Sequence, residues 1–172
     1  MDLGERLFRD YHASLVRYLT RRLGDRDWAD DIAQETILRA LRQESLVNER
    51  SWLFAVASNL VRDEARRASR QRRHLELMAA EVRDVEEEPA DLSLERAQES
   101  SDARRALEQL SERDRQALLL KEEGLDYAEI AEILDIERTS VGTTLSRARR
   151  RLAETYDALH HERRRREQHA TS

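Results

Sequence analysis

The side chains able to do chemistry in this sequence are arginines and carboxylates; histidine is scarce and cysteine absent. His160 and His161, followed by Glu162, form the only histidine pair. Neighbouring residues on a helix point about 100° apart, so these two imidazoles do not converge on one metal ion. Without cysteine there is no thiolate zinc site, no disulfide framework and no cysteine nucleophile. No nucleophile–base pair and no glycine-rich phosphate loop stands out. No catalytic residue, cofactor or metal site is therefore expected, and the chain is not read as an enzyme.

What remains is charge in blocks. Arg62 to Arg73 contains six arginines against Asp63 and Glu64, residues 75–100 contain nine carboxylates against Arg83 and Arg96, and residues 147–151 contain four arginines and no acid. Lys121 is the only lysine. A guanidinium is a planar fork that pairs a phosphate bidentately, so the arginine blocks suit nucleic acid. The net charge of −5 argues against that partner only when averaged over the chain. A compositional preference for arginine accounts for the abundance equally well, so the blocks acquire meaning only from the elements that carry them.

Those elements are helices. The 172 residues are 39% apolar and 39% charged, with four glycines and one proline, too few turn-formers for a many-stranded sheet. No apolar run reaches the ~18 residues of a transmembrane helix. Asp2 and Glu5 precede no apolar h-region, so no secretory signal is read and a cytoplasmic location is expected. Leu3, Leu7, Tyr11, Leu15 and Leu19 lie on one face of a first helix, ended by Gly24 and Asp25. A second helix is predicted from near Asp27 to about Arg42, with Ala29, Ile32, Ala33, Ile37, Ala40 and Leu41 inward. After a polar loop, Gln43 to Glu49, Asn48 is a plausible N-cap for a third helix carrying Trp52, Leu53, Val56 and Leu60. Residues 1–70 form one unit. Residues 71–100, acidic and holding the only proline, Pro89, read as a linker.

Residues 101–159 form the second unit. Ala103, Ala106, Leu107 and Leu110 mark a short helix. Ser111 to Asp114 and Asp126 to Glu129 both have capping-box spacing, and Gly124 sits where a C-cap is wanted. Residues 126–151 then read as helix, short turn, helix. Ile136 and Val141 pin the second of these helices to the first. Its exposed face offers Arg138, Thr139, Ser140, Thr143, Ser146 and Arg147, the short hydrogen-bonding side chains and arginines of a groove-reading helix. Arg149 and Arg150 follow, with Arg151, near flanking phosphates. Gly142 costs this helix ~1 kcal/mol relative to alanine, which close approach to DNA could offset. An ordinary helical hairpin with a solvated arginine face is the competing reading of this unit alone. Residues 160–172 are read as a basic tail.

The first unit decides between them. Asp31 to Ala40 (Asp-Ile-Ala-Gln-Glu-Thr-Ile-Leu-Arg-Ala), Ser51 to Asn59 (Ser-Trp-Leu-Phe-Ala-Val-Ala-Ser-Asn) and the basic helix after them resemble region 2 of bacterial sigma factors. Leu110 to Asp114, Tyr127 to Glu132 and Ser146 to Leu152 resemble region 4. Two such regions on a short linker resemble the extracytoplasmic-function (ECF) group, over about residues 5–155. The resemblance implies an all-α chain of two small helical domains: region 2 as a three-to-four-helix bundle, then the region 4 helix-turn-helix.

It also implies partners and roles. Core RNA polymerase would be met at its largest-subunit clamp helices and its flap. Asp31, Gln34 and Glu35 would touch the clamp, with Ile37 and Leu41 adding apolar surface. Asn59, Arg62, Arg66 and Arg67 would follow the −10 single strand, from which one base is flipped out. Trapping that base recovers part of the opening cost, about 1–2 kcal/mol per stacked step. Trp52 is expected in the core. Arg138, Thr139, Ser140, Thr143, Ser146 and Arg147 would read the −35 duplex, with Arg149 and Arg150 on its backbone. Glu86, Glu87 and Glu88 would mimic an RNA backbone on the path to the active-site cleft. An anti-sigma protein is a further candidate partner. Membrane insertion is not implied.

Four features depart from the family pattern. Ala55 stands where arginine is common. The Gln43–Glu49 loop is short. Gly142 and Thr144 occupy positions that are often basic. Asp135 replaces a turn glycine, and aspartate tolerates the left-handed conformation that turn needs. The alternative function is a stand-alone helix-turn-helix regulator, which leaves the Asp31–Glu35 and Trp52–Arg67 segments unexplained. Binding to core polymerase without DNA separates the two.

Overall fold

A computed structural model describes residues 2–75 and 94–170, and among these it contains seven helices and no strand. The chain divides into two units, Met1–Glu87 and Glu88–Ser172.

The first unit holds α1 (Leu3–Leu23), α2 (Arg26–Ala40) and α3 (Glu49–Leu75). The break between α1 and α2 is made by two adjacent residues. Gly24 takes φ 73°, closing α1 through its N–H to the Thr20 carbonyl, and the Asp25 carboxylate accepts from the Trp28 N–H to open α2. A side chain at Gly24 would be strained there. Asn48 caps α3 as expected, its Oδ1 accepting from the Ser51 N–H at 3.2 Å. The inward faces supply Leu7, Leu15, Leu19, Ile32, Leu53 and Phe54, all at most 2% exposed. Burying each large side chain contributes about 1.5–3 kcal/mol. Tyr18 packs edge-on against Phe54 at 5.3 Å, while its hydroxyl pairs with Ser58 Oγ at 3.0 Å, so its polar tip is satisfied inside the bundle. Trp52, expected in the core, is only half-buried.

Two polar clasps join the helices. Arg6 of α1 grips Glu49 at the start of α3 with two N–H···O bonds of 2.8 and 2.5 Å, and the Tyr11 hydroxyl donates to the same carboxylate. That guanidinium holds the Glu49 carboxyl below its ordinary value. The Trp28 indole N–H of α2 donates to Glu64 of α3.

The second unit holds α4 (Leu94–Glu108), α5 (Glu112–Glu122), α6 (Tyr127–Leu134) and α7 (Arg138–Ala170). Its turns are locally encoded. Ser111 Oγ caps α5 through the Asp114 N–H. Asp126 and Glu129 form a complete capping box on α6. Asp135 takes φ 53° and ψ 54°, the left-handed turn expected of it. Arg115 donates to the carbonyls of Leu107, Glu108 and Leu110, placing a cation on the unpaired C-terminal end of α4.

Two sequence expectations change here. Residues 71–75 belong to α3 and residues 94–100 to α4, so the stretch read as linker is helical at both ends. Glu86, Glu87 and Glu88 lie outside the described residues. The stretch from residue 160, read as a tail, is the last third of α7 up to Ala170. The reason is a clasp with α4. Arg163 Nε donates to the buried Asp102 at 3.0 Å and Nη1 to Gln98 at 3.2 Å, while Leu159 is buried.

Candidate nucleic-acid and polymerase interface

α2 buries Ala29, Ile32, Ala33, Thr36, Ile37 and Ala40, a stripe at helical spacing. Its opposite face carries Asp31 and Gln34, both exposed, and Glu35, half-exposed. Glu35 pairs with Arg39 at 2.7 Å and Gln34 donates to Asp30, on a wet surface where such pairs contribute little and exchange readily. Ile37 is 5% exposed and belongs to the core, so it offers no apolar surface to a partner. Leu38, one residue and about 100° further round, is 52% exposed and takes that place beside Leu41, 41% exposed. Asp31, Gln34, Leu38 and Leu41 then follow the helical repeat along one outer face.

α3 separates its faces in the same way. Leu53, Phe54, Ala57, Leu60 and Val61 are buried, whereas Asn59, Arg62, Arg66 and Arg67 are exposed. Asn59, Arg62 and Arg66 share one face by spacing, and Arg67 lies beside it. In the loop before α3, Val47 stands fully exposed, an apolar tip that the polar reading of this loop did not single out.

α7 begins with Arg138, Thr139 and Ser140, all exposed, followed on the same side by Thr143, Ser146, Arg149 and Arg150, also exposed. Val141, Leu145 and Ala148 are buried and fix this orientation against α5 and α6. Thr144 is 6% exposed, so a basic residue there would enter the core. A Cβ on Gly142 would meet the Tyr127 ring at 3.6 Å, so a ring of α6 covers this position.

Arg147 stands apart from the other expected readers. Its Nη2 donates to Asp114 Oδ1 at 2.6 Å and its Nε to Oδ2 at 3.4 Å. Arg151 Nη1 lies 3.6 Å from the same carboxylate, whose side chain is 1% exposed. The Arg147 guanidinium holds the Asp114 carboxyl below its ordinary value, against the opposing pull of burial. Asp114 had been read as the last residue of a capping pattern and of a segment resembling region 4, with no partner assigned to it. Its partner is 33 residues away in the chain, and no local spacing announces the pair.

Among the described residues no group of histidines and carboxylates is arranged to hold a metal ion, and no helix is long and apolar enough to cross a membrane.

Two family models match the chain: Sigma-70 region 2 over residues 7–71 and Sigma-70, region 4 over residues 100–152. The sigma factor YlaC of Bacillus subtilis is 32% identical over 156 residues, covering 86% of this chain and 88% of YlaC. The ferric citrate uptake sigma factor FecI of Escherichia coli is 33% identical over 152 residues, covering 84% and 85%. The ECF sigma factor BldN of Streptomyces coelicolor is 32% identical over 161 residues, covering 88% of this chain and 60% of BldN. The fold is shared with a Bartonella quintana RpoE, solved with the anti-sigma factor NepR, at TM-score 0.69 and 22% identity over 89% of this chain and 96% of that one. The chain belongs to the ECF group of the sigma-70 family of RNA polymerase sigma factors. As such it is a DNA-binding transcription-initiation factor that joins core RNA polymerase to recognise promoters.

Proposed function

We propose that the two units divide the promoter between them, in the cytoplasm, while core polymerase supplies all the chemistry. α2 docks on the clamp helices through Asp31, Gln34 and Glu35, with Leu38 and Leu41 as the apolar part of the contact. The basic face of α3, Asn59, Arg62, Arg66 and Arg67, follows the −10 strand once it is melted. Val47, at the loop tip, is placed to touch an extruded base. In the second unit Arg138, Thr139, Ser140, Thr143 and Ser146 enter the −35 major groove, and Arg149 and Arg150 meet phosphates. The clamp, flap and anti-sigma assignments rest on family resemblance.

The observation that carries this reading is the separation of charge by face. The acid-and-amide face of α2, the arginine face of α3 and the hydroxyl-and-arginine face of α7 each lie opposite a buried apolar stripe. Each is thus a surface the fold leaves available. In vitro transcription with purified core polymerase on a genomic library tests it. Transcripts starting at defined positions, with a shared pair of upstream elements, are expected. A holoenzyme that never fires from a fixed start would overturn the division.

A further inference from the structure

We propose that Asp114 is a positioning residue for promoter recognition, holding Arg147 as a pre-set fork on the reading helix. This rests on the reading of α7 as the −35 helix and deepens it.

The geometry divides the guanidinium into two edges. Nε and Nη2 face Asp114, at 3.4 and 2.6 Å. The Nη1–Nη2 edge is left for another acceptor pair, and the Arg147 side chain is 38% exposed. That edge matches guanine O6 and N7, or two phosphate oxygens. Arg147 follows Ser146 and lies one turn after Thr143, both exposed, so the fork continues the reading surface.

The electrostatics agree. A lone carboxylate beneath a helix that approaches a polyanion would repel it. Arg151, 3.6 Å away, gives Asp114 a second guanidinium, so the three groups together carry one net positive charge. Because α5 holds the carboxylate buried, the arginine loses its rotamer freedom during folding rather than on binding DNA. The same buried carboxylate explains why an arginine paired inside the protein can still serve outside it.

The test uses holoenzyme reconstituted with core polymerase and the promoter recovered from genomic-library transcription. Each −35 base pair is changed in turn. Binding is measured for the wild type, Asp114→Asn, Arg147→Ala, Arg147→Lys and the double variant Asp114→Asn/Arg147→Ala. Thermal melting of each free chain reports folding. We expect Arg147→Ala to lose about fivefold or more in affinity and most of the preference at one or two base pairs. Asp114→Asn should lose the same preference, and the double variant should bind no worse than Arg147→Ala. Arg147→Lys, which keeps the charge without the fork, should not restore it.

Additive losses from Asp114→Asn and Arg147→Ala, or a uniform loss over all −35 variants that tracks the melting temperature, would make Asp114 a folding residue and overturn the proposal. So would full preference in Asp114→Asn. An Arg147→Ala holoenzyme that binds every −35 variant as the wild type does would remove Arg147 from the interface. Loss of all defined starts in the wild type would instead defeat the broader reading.

Discussion

The two units solve the same problem, holding a binding surface on a small helical bundle, with different materials. In the first unit the residues that hold the bundle and those proposed to bind are separate sets, since its clasps, Arg6–Glu49 and Trp28–Glu64, use none of the proposed binding residues. Leu53 and Phe54 are buried on one side of α3 while Arg66 and Arg67 lie exposed elsewhere on it. In the second unit a candidate binding residue is itself part of a clasp: Arg147, with Arg151, holds the buried Asp114, while Arg163 holds Asp102. Surface changes in the first unit should therefore affect binding without stability, whereas in the second the two are coupled.

The sharpest break of that contrast is a core deletion. Phe54→Ala should cost about 3–5 kcal/mol, lowering the melting temperature and abolishing core binding together. Asp31→Lys with Glu35→Lys should abolish core binding by setting like charges against basic residues, with the melting temperature unchanged. Unaltered core affinity would remove α2 from the docking surface. Asp114→Ala should cost the second unit about 1–3 kcal/mol, as expected for a lost hydrogen bond to a charged group.

That loss should depend on pH. Folding lowers the Asp114 pKa, so its stabilisation is complete above the unfolded value of about 4 and is lost as pH falls through the lower folded value. The melting difference between the wild type and Asp114→Asn should be full at neutral pH and close below about pH 4. A difference that persists in acid would assign the effect to packing. The smallest change is a gain: Gly142→Ala has ordinary contact room against Tyr127 and should add about 1 kcal/mol to the second unit. A lowered melting temperature would show that the ring needs the glycine.

Features set by near neighbours in the chain were legible in the sequence. Asn48, Ser111 and Asp126 cap the helices they precede, and Asp135 adopts the turn conformation its side chain tolerates. Each depends on contacts three or four residues away. The apolar stripe of α2 was also legible, Ile37 included; the docking role given to Ile37 came from the resemblance and does not fit its burial. Leu41, read on the same stripe, is 41% exposed because it caps the helix, where the repeat no longer fixes its direction. The charged clasps were illegible for a different reason. With arginine so abundant, no spacing singles out Arg163 as the partner of Asp102, 61 residues away. The same holds for Arg147 and Asp114. Reading residue 160 onward as a tail followed directly, since its anchor lies in a distant helix.

The unbroken course of α7 sets a constraint of its own. Thr143, on the face proposed to enter the groove, and the anchor at Arg163 are twenty residues apart on one helix, about 30 Å along the axis. Inserting or removing a single residue between them would turn one end about 100° against the other. Under the proposed reading the anchored distal third sets the angle of the other end, and only length changes near whole turns should keep both in phase.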